Sequence, residues 1–357
     1  MSRVRVLIVD DSVVVRRVLS KIFEATPDIE VAGIAATASI GIQKISQIQP
    51  DVVVLDVEMP EMGGIEAVTH IRASWPRLPV LMCSALTERG AEVTVRALAA
   101  GASDYVAKPS AMSAEASDFA AELTAKVRAL AGRDREPRPR VVTPALRAAS
   151  RTRTRVEALT IGCSTGGPSA LAAIFARLPV LPVPIFIVQH MPPLFTRMLA
   201  ERLSAGSQIR VEEGAHGREV VPGMAYIAPG GRHMTVERAG TGARLALNDD
   251  PPENSCRPAV DVLFRSVAQV YADGVLGVVL TGMGHDGKLG AERIVGAGGL
   301  MVVQDAATSV VPSMPMSVAD MRLADSILPL DSIAAEISTR IARGRGVREP
   351  FARSEAR

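Results

Sequence analysis

The sequence is short of cysteine, of aromatic residues and of long apolar runs, and each shortage excludes something. Three cysteines, Cys83, Cys163 and Cys256, lie far apart in 357 residues. Such a set makes neither a disulfide framework nor a metal spacing of the Cys-x-x-Cys kind, and it fits a reducing, cytoplasmic setting. Aromatic residues are 3% of the chain, too few for base-stacking platforms. No apolar run approaches the roughly 18 to 20 residues of a membrane span. The longest candidate, 180–188, is interrupted by Pro182 and Pro184. The N-terminus reads as a strand ending in Asp10 and Asp11, without the apolar core and small-residue cleavage site of a signal peptide. Charge of one sign is missing too. Forty basic residues against 38 acidic ones leave +2, which makes no global case for nucleic acid.

What is present is a globular composition, 48% hydrophobic, long enough for two domains. The composition breaks once. Residues 132–155 hold eight arginines, two acids and three prolines, a net +6 that leaves the remainder at −4 of a total of +2. That stretch lacks apolar periodicity and reads as an extended tether, or as an electrostatic dock for an acidic partner. The expected organisation is a domain at 1–130, a basic linker at 131–155, a second domain at 156–345 and a charged tail at 346–357.

Before the linker, short β-branched runs at 4–9, 29–34, 52–57, 80–83 and 105–107 alternate with helical stretches at 13–25, 39–48, 64–73, 88–100 and 115–131. Near-continuous apolar runs suit strands buried on both faces, and five such β/α units imply a doubly wound parallel sheet. After the linker, apolar strands ending at Gly162, Gln189, Ala228, Leu280 and Gln304 alternate with helices, which gives a second, larger α/β domain. A Gly-rich stretch with short strands at 212–247 suggests hairpins.

In the first domain Asp10 and Asp11 end the first strand, Asp56 the third, and Ser84 and Lys108 follow the fourth and fifth. An open parallel sheet brings these positions to one edge, where ligands bind. Three carboxylates there repel one another, and oxygen-only ligands suit Mg²⁺. A carboxylate neutralised in this way can attack a phosphoryl group, with Lys108 balancing charge and the Ser84 hydroxyl placed to bond a phosphoryl oxygen. Taken singly, an Asp after a strand is an ordinary turn or helix cap. The stretches Val-Leu-Ile-Val-Asp-Asp-Ser (6–12), Val-Leu-Asp-Val-Glu-Met-Pro (54–60), Cys-Ser-Ala (83–85) and Asp-Tyr-Val-Ala-Lys-Pro (104–109) resemble the receiver domain of two-component response regulators over roughly residues 1 to 130. The resemblance implies a flavodoxin-like (βα)5 fold and phosphorylation of Asp56 by a sensor histidine kinase. It also implies Mg²⁺ held by Asp10, Asp11, Asp56 and the Glu58 carbonyl, a switch through Ser84, Tyr105 and Lys108, and a cis Lys108–Pro109 bond. The family's usual Met-Asp-Gly is here Met62-Gly63-Gly64, after the metal loop.

In the second domain Gly162-Cys163-Ser164-Thr165-Gly166 fits the G-x-S-x-G nucleophile elbow, after an apolar strand and before a helix opened by Pro168. The Thr165 amide is placed to donate to an oxyanion. Of five histidines, His190 alone ends a strongly apolar strand; His233 is the runner-up base. Asp286, in Leu-Thr-Gly-Met-Gly-His-Asp-Gly (280–287), reads either as an orienting acid or as a helix N-cap. Together Ser164, His190 and Asp286 permit general-base activation of a serine. The order Ser, His, Asp differs from the Ser, Asp, His of α/β-hydrolases. Gly282-x-Gly284-x-x-Gly287, with Asp305 ending the next strand, is also a literal dinucleotide fingerprint. Against it, the Asp286 carboxylate falls close to where a pyrophosphate would lie.

The combination of a receiver with Ile-Gly-Cys-Ser-Thr-Gly-Gly-Pro, Val-Gln-His-Met-Pro, Ile-Ala-Pro-Gly-Gly-Arg-His-Met, Arg-Pro-Ala-Val-Asp-Val-Leu-Phe and the 280–287 motif resembles the chemotaxis protein-glutamate methylesterase (CheB) family over about 156 to 343. This implies a serine hydrolase, with no cofactor for the esterase step, that acts on glutamyl methyl esters of methylated chemoreceptors and deamidates their glutamines. Neither nucleic acid nor membrane insertion is implied. Ser164, His190 and Asp286 match the triad, Thr165 and Met283 the oxyanion region, and Arg257 and His233 are candidates for the substrate cleft. Cys163 stands where Ala is usual and Ala259 where Ser is usual. Strand alternation packs Cys163 inward, although its place beside the nucleophile makes it a point of oxidation sensitivity. The resemblance also implies that the unphosphorylated receiver covers the cleft. A DNA-binding output, a non-catalytic adaptor and an esterase for another acyl substrate are the remaining alternatives.

Overall fold

A computed structural model describes residues 3–85, 87–108, 116–132 and 155–343. Most of the arginine-rich linker, the whole charged tail and Pro109, with its expected cis bond, lie outside the described residues.

The first domain runs β1 (Val4–Val9), α1 (Val13–Glu24), β2 (Ile29–Ala35), α2 (Ala38–Ile48), β3 (Val52–Asp56), α3 (Gly64–Ser74), β4 (Val80–Ala85), α4 (Glu88–Ala99), β5 (Asp104–Lys108) and α5 (Ala116–Leu130). Its five parallel strands are ordered β2-β1-β3-β4-β5, the flavodoxin-like order with a switch point between β1 and β3. Val52–Asp56 is buried along its whole length, which explains the unbroken apolar run at 52–55. Helix starts follow side-chain chemistry: Ser12, Thr37 and Thr87 accept from the amides of Val15, Ile40 and Gly90 and cap α1, α2 and α4.

The second domain runs β6 (Ala158–Cys163), α6 (Gly167–Phe175), β7 (Ile185–Gln189), α7 (Phe195–Ala205), β8 (Arg210–Glu213), β9 (Met224–Ile227), β10 (His233–Ala239), β11 (Gly242–Asn248), α8 (Val260–Tyr271), β12 (Val275–Val279), α9 (Lys288–Gly296), β13 (Leu300–Gln304), α10 (Ser313–Asp320), β14 (Ser326–Leu328) and α11 (Leu330–Arg343). Seven strands form one sheet in the order β14-β13-β12-β6-β7-β9-β8, and every pairing in it is parallel. The hairpin expectation for 212–247 therefore holds only in part. β10 and β11 form an antiparallel ribbon packed on α8, whereas β8 and β9 join the main sheet. The four residues of β9 are all buried, so they belong to a central layer and not to a half-exposed hairpin. β14 at the opposite edge is three residues long and only half-buried, too weak a pattern to read.

α4 lies against α6 and α7, and the buried cluster containing Leu98 and Tyr105 continues into Leu171, Phe195 and Leu199. The first domain thus packs on the two helices that follow β6 and β7.

Candidate functional site

Parallel register places the key strand ends together. Cys163 at the end of β6 pairs with Gln189 at the end of β7, and Gly162 pairs on its other side with Val279 at the end of β12. Ser164, His190 and the loop carrying Asp286 leave the sheet side by side at the switch between β7 and β12, where a crevice forms. Gly166 has φ of 78° and turns the chain from β6 into α6. A Cβ on Gly282 would lie 2.9 Å from the Ser164 Cβ, so only glycine lets the β12 loop approach the serine. The two loops are stitched together: Ser164 N donates to Thr281 O at 3.1 Å, and Thr281 Oγ1 donates to Thr165 O at 2.9 Å. Gln189 Nε2 donates to Ser164 O at 3.0 Å.

His190 Nε2 lies 2.8 Å from Asp286 Oδ2. Nδ1 is therefore the ring nitrogen left to act as base, and it faces Cys256 Sγ at 3.6 Å. Among the described residues Ser164 Oγ has no hydrogen-bond partner. Asp286 is buried and saturated. Its carboxylate accepts from Val260 N (2.7 Å), Asp261 N (3.0 Å), Gly287 N (2.9 Å) and Asn254 Nδ2 (3.0 Å). Asp286 is not the N-cap of its own helix, since α9 is capped by Gly287 without a side-chain bond; its carboxylate instead meets the first amides of α8, whose cap residue Ala259 supplies no side-chain bond. The positive end of α8 and the imidazole hold this carboxyl below its ordinary value despite burial. Burial works against charge on His190, but hydrogen bonds to Asp286 and Cys256 outweigh it and lift the imidazole to about 9.

The amides of Thr165 and Met283 have no acceptor among the described residues. Arg257 is exposed, donates to Asp249 O and Asp250 O, and precedes Pro258 through a cis bond. His233 does not belong to the cleft. It is buried; its Nδ1 accepts from Ala259 N and its Nε2 meets Pro251 O at 3.2 Å, so backbone groups occupy both ring nitrogens. Cys163 is buried with Sγ on Val188 O at 3.7 Å, and burial pushes its thiol well above the usual value. Its expected oxidation sensitivity is accordingly not supported. The dinucleotide alternative also fails, since Asp286 fills the entrance to α9 and Asp305 closes a local turn onto Thr308 N.

In the first domain Lys108 Nζ bridges Asp10 (2.9 Å) and Asp56 (2.8 Å), while Asp11 stays exposed. Burial holds the Asp56 carboxyl above the usual carboxylate range, against the pull of Lys108. Oxygens of Asp10, Asp11 and Asp56 lie within 4.8 Å of one another, an all-oxygen set open on the Asp11 side that fits Mg²⁺. The Glu58 side chain is paired with Arg89 at 3.1 Å. Ser84 is buried with its hydroxyl on Gly90 O. A Cβ on Gly63 would meet nothing within 4 Å, so the departure at that position opens no gap and strains nothing.

Sequence reasoning missed Asn254, Asp261 and Cys256 as parts of the site. Asn254 Nδ2 bridges Asp286 and Asp261, the latter at 2.9 Å. Asp261 lay within the quoted Arg-Pro-Ala-Val-Asp stretch, which was the one available signal.

Comparison with known proteins follows this geometry. Residues 159–337 match the CheB methylesterase family model, and residues 6–116 match the response regulator receiver domain. A protein-glutamate methylesterase/protein-glutamine glutaminase of Nocardioides sp. is 46% identical, with 97% of each chain covered. One of the same name from Trichodesmium erythraeum is 45% identical, covering 96% of this chain and all of its own. The crystal structure of the Thermotoga maritima CheB methylesterase catalytic domain is 40% identical with a TM-score of 0.50, covering 52% of this chain and 98% of that one. With both domains matched in order, the chain belongs to the CheB methylesterase family and carries a receiver domain ahead of its catalytic domain.

Proposed function

We propose that this protein hydrolyses glutamyl methyl esters on methylated chemoreceptors, deamidates receptor glutamines, and does so under control of Asp56 phosphorylation. The observation that carries the reading is the 2.8 Å His190–Asp286 contact at the sheet edge, beside a serine on a tight elbow. Ser164 Oγ attacks the ester carbonyl while His190 Nδ1 takes its proton. The developing oxyanion is met by the Thr165 and Met283 amides. The C–O bond to the alcohol breaks, and methanol leaves with the proton from Nδ1. Water, deprotonated by the same nitrogen, then releases the glutamyl carboxylate and restores Ser164. Asp286 stays ionised throughout and holds the ring with Nε2–H toward itself.

In the receiver, Asp10, Asp11, Asp56 and the Glu58 carbonyl would hold Mg²⁺, which supplies charge neutralisation for phosphoryl transfer from a histidine kinase. Lys108 orients the Asp56 carboxylate, and Ser84 and Tyr105 carry the change to the surface that packs on α6 and α7. No helix among the described residues is long and apolar enough to cross a membrane.

The test is methanol release from methylated chemoreceptor membranes, with and without Mg²⁺ and a small-molecule phosphodonor. Wild-type release should rise with phosphodonor, and Ser164→Ala should lose about 10⁶ in kcat. Equal release by Ser164→Ala would refute the nucleophile, and release indifferent to phosphodonor would refute the switch.

A further inference from the structure

Two of the three cysteines are chemically silent. Cys83 and Cys163 are fully buried, and burial pushes the Cys83 thiol up to about 12. Cys256 differs on every count. It is partly exposed, and its Sγ lies 3.6 Å from Nδ1 of His190, the nitrogen that Asp286 leaves open. Its loop is held firmly. Glu253 and Cys256 exchange both backbone hydrogen bonds, at 3.1 and 2.9 Å. Arg265 grips the Glu253 carboxylate with two nitrogens, and the Asn254 side chain is tied to Asp286 and Asp261. Asn254 and Ser255, at φ of 53° and 61°, turn the thiol toward the imidazole. Thiol, imidazole and carboxylate thus stand in the relation of nucleophile, base and orienting acid. The ring nitrogen assigned as base for Ser164 therefore lies against the Cys256 thiol.

We propose that Cys256 is a reactive thiol, and that its oxidation by hydroperoxides reversibly withdraws His190 from ester hydrolysis. In its neutral form His190 Nδ1 takes the thiol proton. The thiolate sulfur attacks one peroxide oxygen; the S–O bond forms and the O–O bond breaks. The leaving oxygen departs as water or alcohol with the proton from Nδ1. Sulfur is oxidised by two electrons to sulfenic acid and the peroxide is reduced. The sulfenic acid then occupies Nδ1, which can no longer accept the Ser164 proton. A thiol reductant reverses the step: one thiol condenses with the sulfenic acid, releasing water, and a second reduces the mixed disulfide. The effect on turnover rests on His190 being the base, as proposed above; the reactivity of the thiol does not.

The experiment is peptide mapping by mass spectrometry of the reduced full-length protein at pH 7, treated with hydrogen peroxide plus a sulfenic-acid trap or with iodoacetamide, beside a peptide spanning Cys256. Cys256 should react at least tenfold faster than the peptide, while Cys83 and Cys163 stay unmodified. His190→Gln should bring the rate to within about threefold of the peptide's, and Ser164→Ala should keep the fast rate. Methanol release by wild type should fall in step with Cys256 oxidation and return with dithiothreitol; whatever release Cys256→Ala shows should be insensitive to the same peroxide exposure. A Cys256 rate equal to the peptide's would overturn the proposal, as would equal peroxide loss in Cys256→Ala. Labelling reads the thiol without turnover, so failure of the esterase reading and failure of this one are separable.

Discussion

The ring of Tyr105, on β5 of the receiver, stacks on the ring of Phe195, the first residue of α7, with centroids 4.7 Å apart and planes within 11°. Lys126 Nζ lies 4.9 Å from the centroid of the same tyrosine. The stack joins the strand that carries Lys108 to the helix that follows His190. Around it, Ser169 Oγ on α6 donates to Leu98 O at 3.0 Å, and Arg197 meets Glu88 at 3.0 Å. A shift of Tyr105 therefore bears directly on the helices behind the nucleophile and the base.

Replacing the ring without emptying its space should loosen this contact. An aromatic pair adds about 1 kcal/mol beyond burial, so Tyr105→Leu should raise unphosphorylated methanol release roughly fivefold and shrink the phosphodonor response by the same factor. The check is release with and without phosphodonor, beside Tm. An unchanged basal rate in a stably folded Tyr105→Leu would show that the stack does not restrain the enzyme.

The receiver pocket makes a separate prediction. Lys108 neutralises two buried carboxylates at once, and the facing acids leave its pKa above the ordinary lysine value although burial opposes the charge. Asp56→Asn should keep basal release and abolish its rise with Mg²⁺ and phosphodonor. Lys108→Ala leaves Asp10 and Asp56 facing each other unpaired and should lower Tm, the usual result of removing one partner of a buried pair, by about 3 kcal/mol of stability. Retained stimulation in Asp56→Asn would place the phosphoryl acceptor elsewhere.

Proton chemistry at His190 sets a pH profile. Its imidazole sits at about 9, above the unfolded value of roughly 6.5, and only the neutral ring accepts the serine proton. The kcat/KM of the free enzyme should climb about tenfold per pH unit between about pH 6 and 8 and level off near 9. The stability contributed by the His190–Asp286 pair runs the other way: it is complete below about pH 6.5 and lost as pH rises through about 9. Asp286→Asn should move the activity limb toward the ordinary imidazole value while lowering its height. A profile flat from pH 6 to 9, after subtraction of uncatalysed ester hydrolysis, would contradict a protonated resting histidine.

Much of this was legible because buried parallel strands announce themselves. Runs such as 52–55 and 185–188 are apolar throughout, and a functional residue within two positions of the end of each falls at one sheet edge. Asp10, Asp56, Ser164, His190 and Asp286 could be placed that way. β8 and β9 could not: Gly214, Gly217 and Gly223 look like hairpin punctuation, and four residues carry too little pattern to show burial on both faces. Which nitrogen of His190 meets Asp286 is a matter of ring orientation, on which spacing is silent. Asn254 and Cys256 lie on a turn where two non-glycine residues, Asn254 and Ser255, adopt left-handed backbone, a choice that composition does not announce; Asp261 arrives on the first turn of α8. His233 was misjudged for the opposite reason, since the end of a strand also suits a histidine that serves the backbone.

Asn254 is the sharpest test of that hidden layer. Its amide donates to Asp286 Oδ1 and to Asp261 Oδ2, holding apart two buried carboxyls that share one corner of α8. Burial already pushes Asp261 up to about 6. Asn254→Ala removes a donor from each acid and should cost about 1–3 kcal/mol of stability, the penalty for buried acceptors left short. It should also lower kcat more than it raises KM, because Asn254 acts through Asp286, which orients the base. Asn254→Asp would place a third acid there and should be worse than alanine at neutral pH, recovering relative to it as pH falls and the cluster takes up a proton. Equal Tm and equal kcat in Asn254→Ala would mean that the backbone amides of Val260, Asp261 and Gly287 suffice to hold the acid, leaving the asparagine a bystander.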